Sequence, residues 1–422
     1  MHRRALLLLA LSCAWSQPAA VVLQGGRLID PRNQVDAVRD VLIVNGRIER
    51  IAERIQPPTG ARVADVRGLI LTPGLIDLHV HVFYNAGIPD AWAGDNSIAP
   101  DSFSFRTCTT TMVDAGSSGW RNFSQFRSMV IDRAQTRVLA FLNIAGFGMM
   151  TDHVEQDPAD FLPDRAAAVI EKNRDVIVGI KAAHYQKPDW TQIDRAVEAG
   201  RLTRLPVMVD FGYFLPQRPY WQLVTEKLRP GDISTHCFRA PVPWVDENGK
   251  LYSYLFRARE RGVKFDVGHG GGSFAFRNAV PAISQGFYPD SISTDLHKGS
   301  QNAGLMDLPT TMSKLMAIGL PLPEAILRAT WNPARIIGRS DLGHLSPGAE
   351  ADIAIFRLEE GNFGFRDSDD GRVSGRQRLT CEMTFKAGRP VWDWNSRLGV
   401  DYRNLGPNYG VRPVEQIVRP PR

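Results

Sequence analysis

Four cysteines in 422 residues, scattered at Cys13, Cys108, Cys237 and Cys381, make no disulfide framework. Beyond the N-terminus no apolar run is long enough to span a bilayer. A basic stripe is also missing. The net charge of +5 resides in Arg3 and Arg4 at one end and in the five Arg of 396–422, set against Asp401 and Glu415, at the other. The body between is neutral, which excludes nucleic acid as a partner. No Gly-x-Gly-x-x-Gly opens a strand-to-helix turn, so a dinucleotide fold is disfavoured. Internal repeats and low-complexity segments are absent too.

What is present begins with a leader. Arg3-Arg4 forms a positive n-region, Ala5 to Ala14 an apolar h-region, and Ala19-Ala20 a small-residue cleavage stretch. Residues 1–20 are therefore expected to be a signal peptide and the protein to be exported, periplasmic or secreted. Cys13, after Leu11-Ser12, leaves lipid attachment open.

Residues 21–72 alternate short β runs with turns, and Asn45-Gly46 between two of them is a hairpin signal. A matching set, Gly343–Leu345, Ala351–Phe356 and Leu379–Phe385, occupies 340–395. Neither half looks able to bury both faces, so the two are expected to pair as one β-sandwich domain. Between them, 73–339 alternates strands and helices. Eight strand candidates can be counted: Leu75–His81, Thr110–Asp114, Val138–Ile144, Val176–Lys181, Val207–Asp210, Ile233–Cys237, Val263–Val267 and Ile292–Asp295. Trp190–Ala199 reads as a helix with Ile193, Ala196 and Val197 on one face. Eight such units predict an α/β fold of the (β/α)8 TIM barrel kind, with its site at the C-terminal strand ends. The tail 396–422 reads as a basic arm containing Pro and Arg.

Those strand ends carry polar residues. In Thr72-Pro-Gly-Leu-Ile-Asp-Leu-His-Val-His-Val82, His79 and His81 are two apart on a strand and point to the same side, a preformed half-site for a divalent metal. Lys181, Asp210, His236, His269 and Asp295 fall at the ends of later strands, and so many at one rim argues for a metal site. A lysine buried near cations loses its proton more readily. Once neutral it can take up carbon dioxide, giving an anionic carbamate that bridges two metals. Two metals lower the pKa of a shared water and polarise a carbonyl. Asp295 is expected both to ligate and to carry the proton from the attacking water to the leaving group.

With these residues in place, the chain resembles the amidohydrolase superfamily. The resemblance rests on Pro73-Gly-Leu-Ile-Asp-Leu-His-Val-His81, Gly179-Ile-Lys181, Thr235-His236, Ser293-Thr-Asp295-Leu-His297, and Trp331-Asn-Pro-Ala334 leading to Gly343–Asp352. Gly231–Phe238, Phe265–Phe274 and Gln285–His297 narrow it to the dihydroorotase-like deacetylase branch. It implies a binuclear centre of two divalent ions, zinc by preference. The metal ligands would be His79, His81, Lys181 as N6-carboxylysine, His236 and Asp295, and the reaction hydrolysis of an amide or ester of a small acylated metabolite.

Two departures stand out. Strand 5 ends in Asp210 where the family carries a histidine, and Lys181 is followed by Ala-Ala-His184 rather than by Arg and a small residue. Asp210 could ligate through oxygen, His184 could compensate or contact substrate, or one metal could be lost. His269 in Gly268-His-Gly-Gly-Gly-Ser273 is expected to act as an electrophilic or hydrogen-bonding catalytic group, with Gly270, Gly271 and Ser273 contacting substrate because glycine lets a backbone approach closely. His297 is expected beside them. His153 reads as a surface residue, and Asp114–Gly119 as lining the pocket. The partner is thus a small acyl compound, with homo-oligomerisation left open. The alternatives are a cyclic-amide hydrolase of the dihydroorotase or hydantoinase type, and a non-catalytic binder on a degenerate metal site. Residues 1–20 fused to a reporter enzyme should direct it out of the cytoplasm in fractionation. Retention inside the cell would refute the leader.

Overall fold

The computed structural model describes residues 20–418, apart from 85, 88–90, 152 and 302–306. Most of the leader, Cys13 included, and the last four tail residues lie outside the described residues.

Five strands come first: β1 (Ala20–Asp30), β2 (Val35–Val44), β3 (Arg47–Ala52), β4 (Arg62–Asp65) and β5 (Ile70–Pro73). Asn45 and Gly46 both take positive φ, +48° and +81°, which is the type I′ geometry that closes β2 on β3. Seven strands follow in the middle of the chain: β6 (Leu75–Val80), β7 (Thr109–Gly119), β8 (Arg137–Asn143), β9 (Ile177–Ala182), β10 (Val207–Val209), β11 (Ile233–Ser234) and β12 (Lys264–Phe265). β13 (Ile353–Arg366), β14 (Arg372–Lys386) and β15 (Arg389–Asp393) complete the set.

The middle strands pair in sequence order, all parallel, from β6 to β12. Crossover helices such as Thr191–Thr203, which buries Ile193, Ala196 and Val197, make that parallel order geometrically available. The expected eighth strand is not a ladder but a bridging segment. Ser291 pairs with Asp266 on one side, Leu296 pairs with Val80 on the other, and the His81 N–H donates to the Leu296 carbonyl at 2.9 Å. Segment 291–296 thereby joins the two edges of the seven-stranded sheet.

Side-chain carboxylates take over where the ladder is thin. Buried Asp77 accepts from the Thr294 amide (3.0 Å) and hydroxyl (2.6 Å), and buried Asp266 accepts from the hydroxyls of Ser291 and Ser293, both at 2.6 Å. Burial pushes the Asp77 carboxyl up to about 7. Strands 6 to 8 are shorter than the sequence suggests for a physical reason. The backbone turns left-handed where the polar residues begin, at His236 (φ +55°), Gly268 (φ +46°) and Asp295 (φ +51°), and a left-handed residue cannot continue a strand.

The chain ends meet, but not as two facing sheets. They form one continuous eight-stranded sheet in the order β15-β14-β13-β5-β1-β2-β3, with β4 beside β1. The junction is β5 against β13, where Pro73 lies opposite Ile353 and Ile70 opposite Phe356. One apolar cluster joins them, with Leu23, Ile43 and Leu71 from the first end and Ile353, Met383 and Phe385 from the other. Gly343–Leu345 is not a strand; it is tied down by the Leu345 N–H, which donates to Asp30 Oδ2 at 2.8 Å. The β13–β14 hairpin extends well past the runs visible in the sequence and reaches the barrel, where the Phe276 N–H donates to Asp367 Oδ2 at 2.9 Å. Residues 399–410 of the tail are exposed, with a short helical turn at Tyr402–Asn404 and a second turn over 407–410.

Arg137, at the start of β8, bridges barrel and end sheet. It pairs with Asp352 at 2.7 Å and Glu350 at 2.6 Å, and Lys386 shares both carboxylates. Removing one partner from a mostly buried cluster strands the others. Because Lys386 remains to neutralise them, Arg137→Met should cost only about 2 kcal/mol in urea unfolding. An unchanged midpoint would show that the cluster does not hold the two sheets together.

Candidate metal centre

His79 and His81 leave the end of β6 on the same side, and Asp295 leaves the closing segment opposite them. Asp295 Oδ1 lies 3.1 Å from His81 Nε2 and 3.4 Å from His79 Nε2, with all three side chains buried or nearly so. That oxygen is shut off from solvent and accepts no hydrogen bond. Their ligand atoms lie within 4.8 Å of one another, so the three could hold a metal ion.

The hydrogen bonds behind the rings decide which nitrogen faces inward. The Thr235 hydroxyl donates to Asp266 Oδ2 at 2.8 Å, so its oxygen is left to accept from His79 Nδ1 at 2.9 Å. The proton of His79 is thus on Nδ1, and Nε2 presents a lone pair to the site. Burial, helped by the Lys181 charge, pulls the His79 pKa well below its ordinary value and keeps the ring neutral. A lone pair and a carboxylate oxygen now face each other with no hydrogen between them. That arrangement is unfavourable until a cation joins them, so these residues fit a metal. Similar support exists for His81, whose Nδ1 meets Ser117 Oγ at 2.9 Å, and for His236, whose Nδ1 donates to the Gly268 carbonyl at 2.5 Å.

Lys181, on β9, is fully buried and points its Nζ at His79 Nε2, 3.1 Å away, with Met208 Sδ at 3.8 Å. Burial lowers its pKa. Among the described residues no carboxylate forms an ion pair with it. A Cβ on Gly116 would stand 2.7 Å from the Lys181 Cβ, so the glycine makes room for that side chain.

Asp210 follows β10 and faces two imidazoles, His236 Nε2 at 3.3 Å and His184 Nε2 at 3.2 Å. His184 Nδ1 meets Glu155 Oε2 at 3.0 Å, so both of its nitrogens point at carboxylates and both carry protons. Burial opposes that charge, but Glu155 and Asp210 outweigh it and raise the His184 pKa well above its ordinary value. Burial likewise works against the Asp210 anion, while His236 and His184 hold its carboxyl well below the usual range. His184 in this state braces Asp210 rather than offering a lone pair of its own.

A cavity of about 410 Å³ opens over this group and is lined by His79, His81, His184, Asp210, His236 and Asp295, with Gly271, Ser273 and His297 among the rest of its wall. His297 packs edge-on against Trp92 at 4.2 Å. His269 and Gly270 are not part of this wall. The His269 ring stacks on Phe274 at 4.6 Å, its Nδ1 donates to the Gly270 carbonyl at 2.8 Å, and its Nε2 meets buried Lys314 Nζ at 2.8 Å. Burial and the Lys314 charge press its pKa down to about 3. In this geometry it shapes the loop rather than facing the cavity. Gly270 is needed for approach: a Cβ there would meet Asp295 Oδ2 at 2.5 Å. His153 is exposed, and Cys237 is buried away from the cavity.

Several contributors carry no role in the sequence reading. Thr235 and Asp266 sit inside its motifs yet act only through the folded network. Glu155, two residues from His153, is buried, and nothing local signals it, Trp92 or Lys314.

The Amidohydrolase family pattern matches residues 272–391. A deacetylase of Brucella anthropi is 36% identical over 353 residues, which cover 82% of this chain and 85% of that protein. The solved structure of an adenine deaminase aligns with a TM-score of 0.80 at 26% identity, covering 88% of this chain and 99% of that one. The solved structure of a dihydroorotase aligns with a TM-score of 0.76 at 30% identity, over 88% and 99%. A barrel closed around inward-facing imidazoles and a carboxylate is thus set in a known lineage: the chain belongs to the amidohydrolase family, hydrolases of carbon–nitrogen bonds.

Thr235→Val keeps the side-chain volume and removes the acceptor behind His79. Metal affinity, measured by chelator competition, should fall ten- to a hundredfold with the fold intact. Unchanged affinity would mean that His79 needs no orienting.

Proposed function

We propose that the protein is an exported, metal-dependent deacetylase-like hydrolase that cleaves the amide or ester bond of a small acylated compound. The observation that carries the proposal is the orphaned Asp295 Oδ1 facing the His79 Nε2 lone pair, with His81 Nε2 beside it.

Two divalent ions are the reading, zinc for preference, because nitrogen and carboxylate donors in a tight cluster suit it. His79, His81 and Asp295 would hold one ion, and His236 with Asp210 the other. Lys181 would join them as N6-carboxylysine. The support is its burial with no carboxylate in ion-pair contact among the described residues, since a buried ammonium without such contact is costly and the neutral amine can add carbon dioxide. Such ions supply positive charge that polarises a carbonyl and eases the ionisation of water.

The chain's own side chains do the rest. With Oδ1 turned to His79 and His81, Asp295 takes the proton released at the attacking water on its other oxygen, Oδ2, and returns it to the departing nitrogen or oxygen. His184, braced by Glu155, fixes the Asp210 carboxylate. Gly271, Ser273, Trp92 and His297 close the cavity around the acyl compound. The two chain ends stay joined through β5 and β13, and we read the end-derived sheet, 21–72 with 340–395, as a separate support for the 73–339 barrel. Cyclic-amide hydrolysis is the second reading, favoured by the 30% identity with the dihydroorotase structure.

Purified protein should contain a divalent metal, lose turnover on chelation and regain it with zinc. Asp295→Asn should keep its fold and lose turnover of an acyl panel by at least a hundredfold. Metal-free active protein, or full turnover by the variant, would overturn the mechanism. Cleavage of cyclic amides alone would select the second reading.

A further inference from the structure

Cys108 and Cys381 lie 273 positions apart in sequence, yet their sulfur atoms are 2.8 Å apart. Cys108 immediately precedes β7 of the barrel, and its carbonyl accepts from the Leu75 N–H that opens β6. Cys381 belongs to β14 of the end sheet. Both are buried free thiols, and their sulfur atoms lie inside the van der Waals separation. Cys108 holds a left-handed backbone, φ +61°, unusual for a residue with a side chain, which brings its sulfur to the β14 side.

We propose that Cys108 and Cys381 form a disulfide that fastens the barrel to the end sheet. Cys237 is the residue left free among the described cysteines. The proposal is independent of what the metal centre hydrolyses. It agrees with the leader, since an exported chain folds where disulfides persist.

The oxidant is an external disulfide, either glutathione disulfide or that of a protein. A cavity of about 480 Å³, lined by Phe103, Thr380, Cys381, Trp392 and Trp394, gives it access to Cys381. The Cys381 thiolate attacks the external disulfide, forms a mixed disulfide and releases one thiolate. The Cys108 sulfur, having lost its proton, then attacks the Cys381 sulfur and expels the second. Two protein thiols are oxidised, and one external disulfide is reduced to two thiols, whose released thiolates take up the two protons. Burial, with the adjoining Cys381 sulfur, holds the Cys108 thiol well above its ordinary pKa, which slows the second attack once the protein is folded. The bond is therefore made most readily before packing is complete.

The full chain, refolded with glutathione disulfide, is alkylated in denaturant without reductant, digested and mapped by mass spectrometry. The peptides holding 108 and 381 should be found joined, with Cys237 alkylated, and should separate on reduction. Alkylated Cys108 and Cys381, or a link to Cys237, would overturn the proposal. As a second readout, closure of so long a loop predicts that reductant lowers the melting temperature by on the order of 5–10 °C. Cys108→Ala and Cys381→Ala should each show that loss and no further response to reductant. Variants that still respond to reductant would count against the bond.

Discussion

The structure turns on one arrangement of like electrostatic character. His79 Nε2 and Asp295 Oδ1, a lone pair and a carboxylate oxygen, are held 3.4 Å apart inside the barrel mouth with no proton between them. Left alone, such a contact is repulsive, and the chain invests a good deal of structure in keeping it. Asp266 holds Thr235, Thr235 holds the His79 ring, and the same Asp266 fastens Ser291 and Ser293 of the segment that delivers Asp295. One buried carboxylate therefore orients both sides of the opening. Closing the barrel and aiming its ligands are the same act.

The backbone shows the accompanying strain. His184, His236 and Asp295 all adopt positive φ, a region that costs free energy for residues with a Cβ and persists only when the surroundings impose it. Each stands where a strand gives out. A longer ladder at β9, at β11 or in the closing segment would carry these side chains past the cavity.

Strand 5 ends in an anion, Asp210, where the resemblance led to the expectation of a histidine, and imidazoles surround it. Asp210 is flanked by His236 and by His184, itself charged through buried Glu155. An additional negative group at the centre is thus balanced by an additional positive one just outside it. The long β13–β14 hairpin joins in from the other domain: Asp367 and Ser368 bind the backbone of Phe276 and Phe274, the ring on which His269 stacks. The end sheet thereby shapes the loop beside Asp295, and Arg137 anchors the opposite side of the barrel to it.

Much of this was legible in the chain itself. Strand periodicity put His79 and His81 on one side, alternation of strands and helices counted out eight units, and Asn45-Gly46 marked its hairpin, because each depends on neighbours within a few residues. Local pattern also located Lys181, Asp210, His236 and Asp295 at strand ends. It misjudged His269, whose ring is turned from the cavity by Phe274 and Lys314, and it missed Glu155. The single continuous sheet, the tautomer of His79 and the meeting of Cys108 with Cys381 are likewise beyond it. These were decided by tertiary structure alone, since each depends on groups tens to hundreds of residues apart whose contact no local periodicity encodes. The sequence determined which chemical groups arrive at the rim; packing and buried hydrogen bonds determined which way they face.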